Sequence, residues 1–190
     1  MDDRFRVLTS EGFGDYREKG SKFLAFAFPI SSNEDVDAYI AVLKPQHPKS
    51  RHFCYAYRID DDDWRANDDG EPRHSAGTPI LRQIQSAELY RTAVVVVRYF
   101  GGTKLGVSGL INAYETAAAE ALSAASSKMT YPTVIQSYTV SYAIYNRLMQ
   151  LLSQYDAEII DQTMAENVNV TLRIRATQSE AFSKLMELMY

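Results

Sequence analysis

The run Thr92-Ala93-Val94-Val95-Val96-Val97 constrains this chain more than any other stretch. Four successive valines bounded by polar residues predict a strand buried on both faces. It leads straight into Arg98-Tyr99-Phe100-Gly101-Gly102-Thr103-Lys104-Leu105-Gly106-Val107-Ser108-Gly109-Leu110. Residues 111–125 then carry alanine and larger apolar residues at helical spacing, which predicts a long helix. The unit is strand, glycine-rich loop, helix.

Gly101, Gly102, Gly106 and Gly109 are sites where the backbone can take a positive φ or admit a close neighbour. Ser108 is the expected N-cap, and the free N–H groups of such a helix start favour anions. Arg98 and Lys104 put positive charge at the two ends of the turn. Together these residues predict a site for a phosphate or another anion. The plain alternative is a tight turn whose glycines serve backbone geometry alone. Neither the Gly-x-x-x-x-Gly-Lys-Ser/Thr pattern nor a Gly-x-Gly-x-x-Gly dinucleotide fingerprint occurs here.

At 190 residues the chain holds one large domain or two small ones. Its net charge of −4 lacks the basic excess that advertises a nucleic-acid binder. That balance is uneven. Residues 60–71 hold seven acids and one arginine, and the rest of residues 1–128 carries 15 basic against 11 acidic side chains. The single cysteine, Cys54, excludes an internal disulfide and a cysteine-rich zinc site. There is no apolar run of membrane-spanning length, and the start Met1-Asp2-Asp3 does not read as a signal peptide, so a cytoplasmic protein is expected.

In chain order, residues 5–9 predict a short edge strand and residues 21–30 a longer strand closed by Pro29. Ser32 is the expected N-cap of a helix running to about Lys44, with Asp35 three residues on and Pro45 ending it. Residues 51–59 predict another strand, in whose apolar middle Cys54 reads as core. Residues 60–78 read as one long polar loop, the kind that is functional or disordered. Its four aspartates, Asp60 to Asp63, lack the spacing of a calcium loop. Its second half gathers Glu71, His74 and Ser75, residue types able to serve acid–base or nucleophilic chemistry. Thr78 alternatively caps a short helix opening at Pro79. Residues 126–130 read as a linker between a domain of residues 1–128 and one of residues 129–190. Beyond it, strand 134–142, helix 145–154, strands 157–164 and 167–175 and helix 179–189 follow. This β-α-β-β-α order is that of a ferredoxin-like half-sandwich lacking its last strand, which would begin at Tyr190. The fold class expected is α+β.

These motifs resemble the IMPACT family, whose bacterial members are called YigZ-type proteins. The resemblance rests on Ser21-Lys22-Phe23, on His47-Pro48 with Arg51-His52-Phe53-Cys54-Tyr55-Ala56-Tyr57, on Asp69-Gly70-Glu71-Pro72 and on Ser75-Ala76-Gly77-Thr78-Pro79. Above all it rests on Val94 to Gly102, Lys104-Leu105-Gly106, Gly109-Leu110 and Ala113-Tyr114. Ser108 departs from the glycine of many relatives, and the absent final strand is a second departure. The resemblance implies an N-terminal domain like domain IV of elongation factor G, of the ribosomal-protein domain 2-like kind. It implies a C-terminal domain like domain V of the same factor. Eukaryotic members regulate translation by competing for the activator of a stress-responsive kinase.

The leading expectation is therefore a non-enzymatic binding protein linked to translation through RNA, the ribosome or a translation-factor partner. Its phosphate-contacting residues would be Lys22, Arg51, His52, Arg98, Gly101, Gly102, Lys104, Gly106, Ser108 and Gly109. One alternative is an enzyme acting on a phosphorylated metabolite or nucleotide, with Glu71 or His74 as acid–base. Another is a protein-interaction module using the Asp60–Asp63 loop and the C-terminal domain. No cofactor or metal is called for, since His47, His52 and His74 have no ligand spacing.

Overall fold

The computed structural model describes residues 3–189, which form two compact units. One spans Phe5–Met129, and the other comprises residues 130–189 with Asp3 and Arg4. In the first lie β1 (Phe5–Leu8), β2 (Gly12–Glu18), β3 (Ser21–Pro29), α1 (Glu34–Gln46), β4 (His52–Arg58) and β5 (Trp64–Asn67). They are followed by α2 (Gly77–Ser86), β6 (Leu89–Tyr90), β7 (Thr92–Tyr99), α3 (Gly106–Ala124) and β8 (Ser127–Thr130), which reaches the boundary. The main sheet has the order β2-β3-β7-β4-β5 and is antiparallel throughout.

The valine run is β7, the middle strand, and every residue from Thr92 to Arg98 is buried. Alternation along the strand divides its side chains between two cores. Val94 and Val96 pack with Ile80 of α2 and Ala113 and Tyr114 of α3. Val95 and Val97 pack with Val36 and Leu43 of α1. Each fully buried valine contributes about 1.5–3 kcal/mol relative to exposure.

The second unit contains β9 (Thr133–Val140), α4 (Tyr142–Leu152), β10 (Ala157–Met164), β11 (Val168–Arg175) and α5 (Ala176–Glu187). Its sheet order is β10-β11-β9, and both pairings are antiparallel. Val168, Val170, Leu172 and Ile174 alternate into a core shared with Leu148, Phe182 and Met186. Strands and helices in both units give an α+β fold. The position expected to open a last strand, Tyr190, falls outside the described residues.

Several local expectations are corrected. Residues 5–8 form the central strand of a small sheet of order β6-β1-β8, so the segment expected to be an edge is paired on both sides and the expected linker is a strand. Residues 60–78 are not one loop: β5 returns along β4, and Asp60–Asp63 is the tight turn joining them, with Ile59 N–H donating to Asp63 O at 2.8 Å. α1 runs past Pro45, because a proline near a helix end forfeits only its own N–H and His47 N–H still reaches Leu43 O and Lys44 O. Its N-cap is Asn33 rather than Ser32, and Asp35 accepts from the N–H groups of Ser31 and Ser32. α2 opens at Gly77, two residues before Pro79.

Candidate functional site

The turn from β7 into α3 reaches the surface beside the turn that precedes α2. Between them lies a cleft of about 380 Å³, with Glu71, Arg98, Phe100, Lys104, Gly106 and Val107 in its wall. α3 starts at Gly106, at φ +74, after an N-cap residue, Leu105, that makes no side-chain cap bond. Ser108 therefore lies inside the first turn and is not the N-cap expected of it. Gly106, Val107 and Ser108 are all exposed there. A helix start of this kind presents N–H groups and the positive end of the helix dipole. Lys104 is exposed, and among the described residues it forms no ion pair.

Gly101 has a packing role. A Cβ there would stand 1.9 Å from the carbonyl carbon of Gly20, so the β2–β3 turn can close onto this loop only over a glycine. Its N–H donates to Ser21 Oγ at 3.1 Å. Gly102 and Gly106 have positive φ and open space around them, while Gly109 faces Leu105 within the helix start.

Arg98 is not a free cation. Its side chain is 7 % exposed, and its guanidinium pairs at 2.5 Å with Glu71, itself 4 % exposed. Tyr114 of α3 donates to the same Glu71 oxygen at 2.8 Å. The guanidinium carbon lies 5.5 Å from the ring centre of Phe23 and 5.7 Å from that of Phe100. Behind Tyr114, Cys54 Sγ lies 3.3 Å from the tyrosine hydroxyl and 3.0 Å from the carbonyl of Asp68. Burial pushes the Cys54 thiol far up, away from the thiolate a nucleophile needs. Burial also pushes Tyr114 up, with Cys54 and Glu71 adding to it.

The two proposed acid–base residues are divided. Glu71 serves Arg98 and Tyr114, whereas His74 is exposed and its Nδ1 lies 3.1 Å from Thr78 Oγ1. Asp68, which the sequence did not single out, organises this turn. Its carboxylate accepts from the N–H groups of His74, Ala76 and Gly77 and so caps α2. Asp69 accepts from Phe53 N–H at 2.6 Å and ties the same turn to β4.

Register separates the predicted basic residues. His52 and Phe23 pair across from Arg98, on the sheet face that bears α2 and α3. Lys22 pairs across from Tyr99 and so projects from the opposite face. Lys22 and Arg98, expected to contact one phosphate site, therefore lie on opposite faces of the sheet, because a shift of one residue along a strand changes the face. Arg51 is exposed just before β4. The three histidines go to separate partners, His47 to Tyr99, His52 to the carbonyl of Asp69 and His74 to Thr78. Among the described residues no cluster of His, Cys, Asp or Glu is placed to hold a metal ion, and no helix is long and apolar enough to cross a membrane.

Comparison with known proteins agrees with this architecture. The Impact N-terminal domain matches residues 19–122, and a domain of unknown function (DUF1949) matches residues 139–187. An IMPACT family member of Haemophilus influenzae is 33% identical over 169 residues, covering 87% of this chain and 82% of that protein. An IMPACT family member of Thermus thermophilus, described as lying in the pol 5' region, is 41% identical over 154 residues, covering 81% and 84%. A crystal structure described as that of a hypothetical protein superposes with a TM-score of 0.72 at 26% identity, over 99% of this chain and 94% of that one. The matched domain holds the valine strand, the cleft and the Glu71–Arg98 pair, and the chain belongs to the IMPACT family.

Proposed function

We propose that this chain is a non-enzymatic, translation-linked binding protein that takes an RNA phosphate in the cleft at the start of α3. The observation that carries this reading is exposed Lys104, without an ion pair among the described residues, standing beside an exposed helix start whose N-cap residue makes no side-chain bond. Phe100, 57% exposed on the same wall, supplies a ring on which an unpaired base can stack. Arg98 acts indirectly, as a buried cation held by Glu71 beneath the cleft. The link to translation rests on the resemblance to eukaryotic IMPACT proteins.

The test is binding of labelled single-stranded RNA and of ribosomes at rising salt, for wild type and Lys104→Ala. Affinity should fall steeply with salt, and Lys104→Ala should flatten the log–log slope by about 0.7 for one lost phosphate contact. Wild type that fails to bind at low salt, or binding indifferent to Lys104→Ala, overturns the reading. Arg98→Ala is a poor probe because it strands Glu71 in the interior.

One observation favours a second reading, a phosphorylated metabolite or mononucleotide. The cleft volume lies in the range of small-molecule sites, about 300–1,000 Å³. Saturable thermal stabilisation by a nucleotide, lost in Lys104→Ala, would select it over the RNA reading.

A further inference from the structure

The opposite face of the main sheet carries a second feature that the anion cleft does not use. Two hollows adjoin along α1. One, of about 700 Å³, is bounded by Ser10, Pro29, Ile30 and Asp35, and the other, of about 490 Å³, by Phe13, Phe26, Leu43 and Gln46. Both are walled by Glu11, Tyr39 and Val42, so they form one groove. Its floor is apolar and open: Phe13 is 51% exposed and Val42 62% exposed. These side chains sit on rigid elements. Phe13 packs on Phe26 at 5.2 Å between ring centres, and Tyr39 stacks on Phe28 at 3.8 Å.

One end of the groove is acidic. Asp35 lines it, and Glu11, shared by both hollows, stands between it and the middle of the groove. Asp35 is held as a carboxylate by the N–H groups of Ser31 and Ser32, which keep it below the usual carboxylate range. Glu11 accepts from the Tyr39 hydroxyl, and burial pushes that tyrosine up to about 12. The lining residues of α1 run from Asp35 to Gln46, about 16 Å along the axis. That span fits about three turns of helix or about five extended residues.

We propose that this groove docks a short segment of a partner protein, apolar at its centre and carrying Lys or Arg at the end that meets Glu11 and Asp35. Charge decides among occupants. RNA and anionic lipid are repelled by the acidic end. A second copy docking through the same patch about a two-fold axis at the middle of the groove would set the acidic end against the Phe13, Leu43 and Gln46 end of its partner, which offers the carboxylates no cation. A basic, apolar peptide satisfies both ends of the groove.

The proposal is independent of the RNA reading, because the two sites occupy opposite faces of the sheet and have different probes. The full chain would be used to select from a random dodecapeptide library, and selected peptides would be synthesised and titrated by fluorescence polarisation. Binding would be measured to wild type, Val42→Glu, Glu11→Gln and Lys104→Ala, with thermal melts verifying that each variant is folded. Val42 and Glu11 are exposed, so both variants should fold. The expected result is enrichment of peptides joining large apolar residues to Lys or Arg. Val42→Glu should weaken their binding at least tenfold and Glu11→Gln about threefold, with Lys104→Ala unchanged. No enrichment, enrichment of acidic peptides, or binding indifferent to Val42→Glu overturns the proposal. So does a dimer in size-exclusion chromatography that Val42→Glu dissolves.

Discussion

The pair of Glu71 and Arg98 is the residue-scale commitment of this protein. Both side chains are almost fully buried, and Tyr114 gives Glu71 a second donor. Removing one partner of such a pair leaves an uncompensated charge, which costs about 3–5 kcal/mol, whereas replacing both by apolar residues is often tolerated. Glu71→Gln should therefore lower unfolding free energy by about 3 kcal/mol or more. Glu71→Leu/Arg98→Met should lose less than the sum of its single changes, and urea denaturation with a double-mutant cycle measures this. Additive losses would mean that the pair is not coupled. Arg98 and Glu71 both drew notice in the sequence, one as a phosphate contact and one as an acid–base group. Their partnership was not legible, because 27 positions separate them and the hydrogen bond forms only when the turn before α2 folds over the end of β7.

At the scale of elements, the turn before α2 depends on Asp68. Its carboxylate meets three backbone N–H groups, including the two that open α2. Losing a capping side chain costs about 0.5–2 kcal/mol, and three donors left without an acceptor place Asp68→Ala at the upper end. The change should also loosen Glu71, three residues on. A drop in melting temperature with faster amide exchange at Ala76 and Gly77 would be the signature, and unchanged exchange there would contradict it. Asp68 escaped notice because it acts across eight or nine positions, beyond the reach of a local capping pattern. β2 escaped for a related reason. Gly12 and Gly14 dilute any strand pattern there, since glycine is depleted in strands, and a Cβ at Gly12 would stand 2.0 Å from the carbonyl oxygen of Ala121. Those glycines let α3 lie close against the strand.

At the scale of the whole molecule, the two units differ in how much they bury. The unit Phe5–Met129 has cores on both faces of its main sheet, while residues 130–189 form one smaller core. Smaller domains bury a lesser share of their surface and are less stable. Amides of Val170 and Leu172 in β11 should exchange faster than those of Val95 and Val96 in β7, by native-state hydrogen exchange. Equal protection would mean that both units unfold together. The sequence by itself determined the central strand, the strand–loop–helix unit, the β-α-β-β-α order of the second half and the family, because each is written in local periodicity or in contiguous motifs. Tertiary structure alone decided which face each side chain took, that Arg98 belongs to Glu71 while Lys104 forms no ion pair among the described residues, and that α1 leaves a groove beside β2. Those outcomes follow from strand register and long-range packing, and neighbouring residues along the chain carry no record of either.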